Sequence, residues 1–529
     1  MVALSALQVG AGLVAAAPVA LVGGVVSLLS RLQDSVGTAP PTAAMVDGEV
    51  PRANSALFRH FPALADTLAW RSLGAVSATP IHRCTLTTPS GRDVEFLVKR
   101  EDLISSKYGG NKVRTLQHQL ATIEARLAAG DERCANVHTI GSGGSNQVVA
   151  TVVHGREQGL RAMTPLWLDS DAPDLDNTLN MLSTLSLPLD EPSGYTWGEP
   201  WPMLRRLLGA AYGGRGVVVT VGGNCPAGVL GQAGGMLELA EQVRRGELPR
   251  PDRIYLPVGS ACTVSGLILG LALERHLQLG AFDSDNGNSD DRGEVAGPPL
   301  RIVAACVHPL QRGWALRSPL LRFLPFTIQH TLRAACAELK RLGGPDVLRE
   351  SLRLLQSQVD IVDDADLVGS YGGHSDRSRA AAQAYDSSAV VVDGNTGDDL
   401  TLTAPLWVCG HFVAKALAPL LEDAAREEED DDAAAAAAGR TLLLWQTKSA
   451  VQPRGELDEW QSMREMPAAV REWADRGTAE SVLRPGKVDT AAAAEGARGY
   501  RHLMAAPPSS TLAGEEGAGG AVRRNPKVD

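Results

Sequence analysis

The sequence predicts an α/β protein built around parallel β-sheets. Its 529 residues are enough for two or more domains, and 44% of them are hydrophobic. Short apolar runs rich in β-branched residues alternate with helix-like stretches, and glycine-rich turns join them. This alternation is typical of βαβ units, in which neighbouring strands run parallel.

Four strand-like runs precede four helix-like stretches in chain order. The pairs are EFLVK with RTLQHQLATIEARLAA, VHTIG with SNQVVATVVHGREQG, GVVVTVGG with LGQAGGMLELAEQVRR, and RIYLPVGS with VSGLILGLALERHL. Each run is short enough for a buried strand, and each stretch that follows is long enough for a helix that covers the sheet.

Composition excludes several classes of protein. The formal net charge is −11 and no basic stripe with interleaved aromatics is present, which argues against a nucleic-acid partner. Seven scattered cysteines without a C-x-x-C pair indicate reduced thiols and no metal site. The motifs of zinc peptidases, α/β-hydrolases and P-loop proteins are absent from the sequence.

The amino-terminal stretch, residues 3–30, carries no charge. About 20 apolar residues suffice to span a bilayer, so contact with a membrane through this segment is one hypothesis. A cleaved targeting segment or a disordered leader is the alternative. The expected location is therefore cytoplasmic or organellar, with membrane anchoring left open.

Three glycine-rich turns carry the candidate site. In YGGNKVRTL, Lys112 is either a solvated charge at a helix start or a nucleophile placed by the turn. In VGSACTVSG, the turn Gly259–Thr263 either closes a βα unit or binds an anion with backbone N–H groups. In GSGGSNQ, Ser145 and Asn146 either cap a helix or face a ligand crevice.

A crevice lysine and a phosphate-binding turn together suit an aldehyde cofactor that carries a phosphate. Burial lowers the pKa of a lysine and frees its amine to attack a carbonyl. Pyridoxal 5'-phosphate meets both requirements.

Four segments in order resemble the fold-type II pyridoxal-phosphate enzymes that include 1-aminocyclopropane-1-carboxylate deaminase and D-cysteine desulfhydrase. They are VKREDLISSKYGGNKVRTLQ, GSGGSNQVVATVVHGREQGLRA, VVVTVGGNCPAGVLGQAGGMLELAEQ and IYLPVGSACTVSGLILGL. The resemblance implies two open parallel sheets of the tryptophan synthase β-subunit type, with the cofactor in the crevice between two domains. It also implies a homodimer.

The resemblance also implies domain boundaries. The large domain is expected at residues 57–120 plus 236–450 and the small domain at 121–235. Residues 1–56 would be leader and linker, and 451–529 a peripheral, partly disordered tail. Two acidic low-complexity insertions, at about 281–299 and 422–439, are expected as surface loops.

The resemblance assigns site residues by position. Lys112 matches the lysine that binds the cofactor covalently and then acts as a base, and Tyr371 matches a tyrosine that faces the substrate. The substrate carboxylate would meet Ser145, Asn146 and Gln147. The remaining cofactor contacts would be Asn111, Gly259, Ser260, Ala261, Cys262, Thr263 and Thr447.

The carboxyl-terminal third departs from the family pattern. A second tyrosine is replaced by Phe412 in one alignment and by Trp407 in the other. A Gly-Gly pair is replaced by Lys448-Ser449, which is expected to crowd the same wall of the site. Because the missing phenol acts in cyclopropane ring opening, its loss weakens that assignment.

The expected activity is that of a lyase or deaminase on a small amino acid. A D-cysteine desulfhydrase-like β-elimination would give a keto acid, ammonia and sulfide, with Tyr371 as the proton source. Alternatives are 1-aminocyclopropane-1-carboxylate deaminase and a non-catalytic, membrane-tethered protein that binds pyridoxal phosphate.

Overall fold

The computed structural model describes most of the chain between residues 19 and 480. The described residues are 19–46, 54–74, 78–88, 91–160, 163–168, 175–189, 200–282, 298–307, 324–369, 373–387, 391–394, 406–429, 440–449, 451–453, 455, 457 and 459–480. Tyr371 lies outside this set. Most of the two predicted acidic insertions, residues 283–297 and 430–439, also lies outside it.

Within these ranges the strands form two sheets. The strands are β1 (Ile81–Thr87), β2 (Asp93–Lys99), β3 (Val137–Ser142), β4 (Met163–Leu168), β5 (Val217–Val219), β6 (Arg253–Val258), β7 (Arg301–Cys306), β8 (Val359–Val362), β9 (Val391–Gly394) and β10 (Leu442–Trp445). The large sheet has the order β8-β7-β6-β10-β2-β1-β9, and the small sheet has the order β4-β3-β5.

Seventeen α-helices lie in the described part of the chain. They are α1 (Val19–Gln33), α2 (Ala43–Val46), α3 (Ala56–His60), α4 (Leu64–Thr67), α5 (Lys112–Ala128), α6 (Asn146–Glu157), α7 (Leu175–Leu185), α8 (Pro200–Tyr212), α9 (Pro226–Arg244), α10 (Cys262–His276), α11 (Ile328–Arg341), α12 (Leu348–Ser357), α13 (Ala365–Val368), α14 (Asp376–Ser387), α15 (Val413–Glu429), α16 (Glu459–Arg464) and α17 (Ala468–Glu480).

The predicted α/β class with mainly parallel sheets is confirmed. Strands β8, β7, β6, β10 and β2 run parallel, as do all three strands of the small sheet. Only β1 runs antiparallel to its neighbours β2 and β9. The reason is local, since β1 and β2 follow each other closely in the chain and pair as a hairpin.

Both faces of the large sheet are covered. In β2, Leu97 packs into the core formed with α9, α10 and α11, whereas Val98 packs into the core formed with α14 and α15. Successive strand side chains point to opposite faces, which is why neighbouring residues serve different cores. A sheet buried on both faces accounts for the apolar runs in the sequence.

Parts of the expected leader and tail that the structure describes pack against the body of the protein. Leu32 and Val36, in the expected leader and linker, are buried against the small sheet. In the expected tail, Met463 and Trp473 are buried against α7. The amphipathic patterns of these short segments are weak in isolation and become helical where they cover an exposed apolar face.

Two further features bear on the sequence expectations. Helix α15 continues to Glu429, so the first residues of the second acidic segment extend a helix rather than a loop. None of the described helices combines the length and the apolar composition needed to cross a membrane.

Four buried charges join the end of β2 to α5 and α9. Lys99 donates to Glu238 at 2.5 Å, and Arg114 donates to Glu238 at 2.8 Å and to Glu101 at 2.6 Å. The hydroxyl of Thr79 donates to Glu101 at 2.8 Å. We call Lys99, Glu101, Arg114 and Glu238 the buried ion network. Its charges are stable only as a set, because each needs its partners in place of water.

We expect Glu238→Gln to lower the free energy of unfolding at neutral pH by about 3–5 kcal/mol, because Lys99 and Arg114 lose their shared carboxylate in a buried site. Urea-induced unfolding measures this loss. The matched control is Glu95→Gln. Glu95 lies on β2, the strand that carries Lys99, and pairs with Arg83 at the surface, where an ion pair contributes little. Equal losses in both variants would contradict the expectation.

The stability lost in Glu238→Gln should also depend on pH. Burial raises the pKa of Glu238, but Arg114 and Lys99 outweigh burial and lower that pKa from 4.5 to about 2. The carboxylate therefore contributes its full stability above about pH 4.5 and loses it as the pH falls toward 2. The stability difference between wild type and Glu238→Gln should shrink across this window.

Candidate functional site

A cavity lies where the carboxyl ends of strands from both sheets meet. Strands β3, β6 and β10 each end at its rim. Its lining includes every predicted site residue except Tyr371, which lies outside the described residues: Asn111, Lys112, Ser145, Asn146, Gln147, Gly259, Ser260, Ala261, Cys262, Thr263 and Thr447. Residues from four distant parts of the sequence therefore share one cavity.

The loop before α5 brings Lys112 to the cavity. Its Nζ lies 3.5 Å from the carbonyl oxygen of Gly222, and burial lowers the pKa of this lysine. A lowered pKa increases the fraction of neutral, nucleophilic amine near pH 7. Of the two alternatives for Lys112, the geometry therefore favours the nucleophile over the solvated charge.

Glycine is required at Gly110, because its backbone passes close to the end of β10. Gly110 has φ +99°, and a Cβ there would lie 2.6 Å from the carbonyl oxygen of Thr447. The N–H of the next residue, Asn111, donates to that same oxygen at 3.3 Å. The loop is thus fixed to β10 immediately before the lysine.

The turn between β6 and α10 presents backbone donors. Within the described residues, the N–H groups of residues 260–264 have no hydrogen-bond acceptor. Ala261 holds a left-handed conformation, φ +67°, which is unusual for a residue with a side chain and occurs often at functional sites. Asn111 reaches this turn by donating to the hydroxyl of Thr263 at 2.7 Å.

The start of α6 also lines the cavity. Ser145 occupies the N-cap position, yet its side chain makes no capping hydrogen bond. Ser145 therefore has the predicted cap position without the hydrogen bond by which a cap side chain stabilises a helix. Asn146 and Gln147 begin the helix, whose N-terminus favours negative charge.

The structure adds residues that the sequence analysis did not select. Ser142, Asn177, Val221 and Gly222 also line the cavity. Gly222 lies beside the β6–α10 turn, where a Cβ would come within 2.1 Å of the Ser260 hydroxyl oxygen. The Gly-Gly pair in GVVVTVGG is the one signal that could have identified this position.

Phe412 and Trp407, the two candidates for the position of the missing tyrosine, lie in different places. Phe412 lines the cavity, whereas Trp407 is buried in the core beside β2 and β10. A phenyl ring, which cannot donate or accept a proton, therefore stands at the cavity wall.

The expectation that Lys448 crowds the cavity is wrong. Lys448 does not belong to the cavity lining. Its buried ammonium turns behind α6 and donates to Asn146 Oδ1 at 2.8 Å. Ser449 likewise supports the loop before α5, because its hydroxyl accepts from the N–H of Gly109 at 3.2 Å.

One cavity, lined from both sheets, thus combines a lysine amine with a helix N-terminus whose N–H groups are unpaired, and these groups suit a phosphorylated aldehyde. Residues 73–289 match the family model described as pyridoxal-phosphate dependent enzyme. The chain belongs to this family, and its cofactor is pyridoxal phosphate.

Two curated relatives and one solved structure are similar to this chain. It is 32% identical over 254 residues to nocardicin C-9' epimerase from Nocardia uniformis subsp. tsuyamanensis, covering 46% of this chain and 74% of the relative. It is 32% identical over 201 residues to D-cysteine desulfhydrase from Serratia proteamaculans (strain 568), covering 37% and 58%. The crystal structure of an ACC deaminase homologue covers 74% of this chain and 94% of its own, with 18% identity and a TM-score of 0.47.

The cavity residues fit this cofactor. Unpaired N–H groups at residues 260–264 suit a phosphate, and a Cβ at Gly259 would meet only Val307, at 3.4 Å. Burial raises the pKa of Cys262 to about 12, so its thiol stays neutral and adds no negative charge to this turn. Lys112 supplies the amine that an aldehyde requires.

We expect Gly110→Ala to weaken both the fold and cofactor retention. The new Cβ would clash with the Thr447 carbonyl and take a disfavoured φ, at a cost of about 1–3 kcal/mol or more. Thermal unfolding and the cofactor content after dialysis measure the two effects. Gly130→Ala is the matched control, since Gly130 has φ +88° but nothing within 4 Å of its Cβ position. An equal effect of both variants would exclude a role for the close approach.

We expect Lys112→Ala to abolish the visible absorbance of the lysine-bound cofactor while leaving the thermal unfolding midpoint nearly unchanged. Absorbance spectra of the purified proteins, after incubation with pyridoxal phosphate, make the test. The matched control is Lys107→Ala, because Lys107 lies in the same loop but is half-exposed and pairs with Glu157. Retention of the band in Lys112→Ala would refute the assignment.

Proposed function

We propose that this protein is a lyase that releases a keto acid and ammonia from a small amino acid by β-elimination, with D-cysteine as the substrate. The observation that carries the proposal is the placement of Lys112 in a cavity that the starts of α6 and α10 both face. The similarity to D-cysteine desulfhydrase over part of the chain supports the choice of substrate.

The cofactor is assigned to the side of the cavity formed by β6, β10 and α10. We place its phosphate at Gly259–Thr263, where a helix N-terminus and unpaired N–H groups favour an anion. Asn111 would bind the ring oxygen and Thr447 the ring nitrogen. Bound there, pyridoxal phosphate delocalises the electron pair released at the substrate Cα.

The substrate carboxylate is assigned to the start of α6. Ser145, Asn146 and Gln147 lie there, and the helix dipole adds to the attraction for a negative group. With the carboxylate bound there, the substrate Cα would face Lys112, which lines the same cavity.

Lys112 is assigned two tasks. Its amine would hold the cofactor through the aldehyde carbon when no substrate is bound, and with substrate present the free amine would take the proton from Cα. Burial lowers the pKa of Lys112, so the amine is a competent base near neutral pH. Loss of the Cβ thiolate gives an enamine, which water converts to pyruvate and ammonia. The proton for the thiolate is assigned to Tyr371, which stays a prediction.

Ring opening of 1-aminocyclopropane-1-carboxylate is the weaker alternative. Phe412, one of the two residues that the resemblance aligns with the family's second tyrosine, lines the cavity, and a phenyl ring has no proton to transfer.

Epimerisation at Cα is the second candidate. It requires the same proton removal by a base, followed by return of the proton to the other face. The specific support is the similarity to nocardicin C-9' epimerase, of which this chain covers 74%.

The test is incubation of the full-length holoenzyme with D-cysteine, with sulfide and pyruvate measured together. We expect both products in equal amounts, and we expect a fall of at least about 10³-fold in their rate for Lys112→Ala. Inversion of D-amino acids without sulfide release would instead establish the epimerase. Cofactor binding with neither product nor inversion would identify a non-catalytic binding protein.

A further inference from the structure

Lys448 lies in a polar cluster immediately behind the start of α6. Only 1% of its surface is exposed. Its ammonium donates to Asn146 Oδ1 at 2.8 Å, to Asn180 Oδ1 at 3.1 Å and to the Tyr108 hydroxyl at 3.3 Å. It also lies 5.6 Å from the centre of the Tyr108 ring. These contacts place a buried positive charge directly against Asn146, which lines the cavity.

The cluster fixes the orientation of the Asn146 amide. A lysine ammonium can only donate, so the atom facing it must be the amide oxygen. The same oxygen accepts from the Tyr108 hydroxyl at 3.0 Å and from Asn180 Nδ2 at 2.8 Å. Three donors on the oxygen hold the amide in one of its two flipped states.

The opposite end of that amide is therefore a donor at the cavity. Asn146 lines the cavity and is partly exposed there, and no acceptor among the described residues bonds its Nδ2. Hydrogen bonds to an amide oxygen polarise the group and strengthen its N–H donors. A nearby cation in a low-dielectric site further favours a negative ligand.

We propose that Lys448 is a positioning residue for the substrate carboxylate. It holds Asn146 so that the amide NH₂ donates to the carboxylate, and its buried charge strengthens that bond. This inference rests on the proposed function, in which the start of α6 binds the carboxylate. In this role Lys448 makes the site select amino acids over derivatives whose carboxylate has been converted to a neutral amide.

The selectivity is tested with two ligands that have no group to eliminate. D-alanine and D-alaninamide differ in the charge of one substituent, and each is titrated into full-length holoenzyme while the visible absorbance of the cofactor is followed. In Lys448→Met, we expect the Kd for D-alanine to rise about tenfold or more, as for loss of one charge-assisted interaction. The Kd for D-alaninamide should change by less than about twofold.

Two further variants isolate the path through Asn146. In an Asn146→Ala background, adding Lys448→Met should raise the Kd for D-alanine much less than it does in wild type, because only the direct attraction of the charge for the ligand is then lost. Lys448→Gln keeps a donor but not the charge, and should lie between wild type and Lys448→Met. If Lys448→Met does not fold, Lys448→Gln is the variant used for the test.

The matched control is Lys415→Met. Lys415 is also a buried lysine, with its pKa lowered by burial to about 8, but it donates to the carbonyl of Val368 rather than to Asn146. It should leave the ratio of the two Kd values unchanged.

Equal weakening of both ligands in Lys448→Met, or no weakening of either, would overturn the inference. Because neither ligand can undergo elimination, the result does not depend on whether D-cysteine is the substrate. Failure of this inference and failure of the proposed function are therefore distinguishable.

Discussion

The buried ion network is the constraint on which the position of Lys112 depends. It joins the end of β2 to α5 and α9, and the carbonyl of Glu101 accepts from the N–H of Gly110 at 2.8 Å. The loop that carries Lys112 is thus held by groups that cannot move singly, because displacing one leaves another charge buried without its partner. Stability and site geometry are determined by the same contacts.

The cavity is built to attract negative groups from two sides. The starts of α6 and α10 both face it, one from the small sheet and one from the large sheet. None of the described residues that line it is aspartate or glutamate. A cofactor phosphate and a substrate carboxylate can therefore occupy it together, each near its own helix N-terminus. Lys112, at the start of α5, lines the same cavity.

Lys448 and Ser449, which follow β10, contact residues around the cavity without lining it. Lys448 and Ser449 would block the cavity if they faced it, but their side chains turn toward α6 and the loop before α5. Lys448 instead contacts Asn146, whose side chain does line the cavity. Phe412 differs from both, since its apolar ring lines the cavity directly.

The sequence by itself determined the parallel α/β class, the glycine-rich turns and the candidate lysine, because strand periodicity, turn chemistry and the motif around Lys112 are local patterns. Tertiary structure decided what depends on long-range packing. Only the folded structure shows that Phe412, and not Trp407, lines the cavity. The Lys448–Asn146 hydrogen bond likewise joins residues 302 positions apart. The burial of Leu32 likewise depends on the apolar face that the folded small sheet offers. No local pattern encodes such contacts, since each partner is defined only after the sheets have formed.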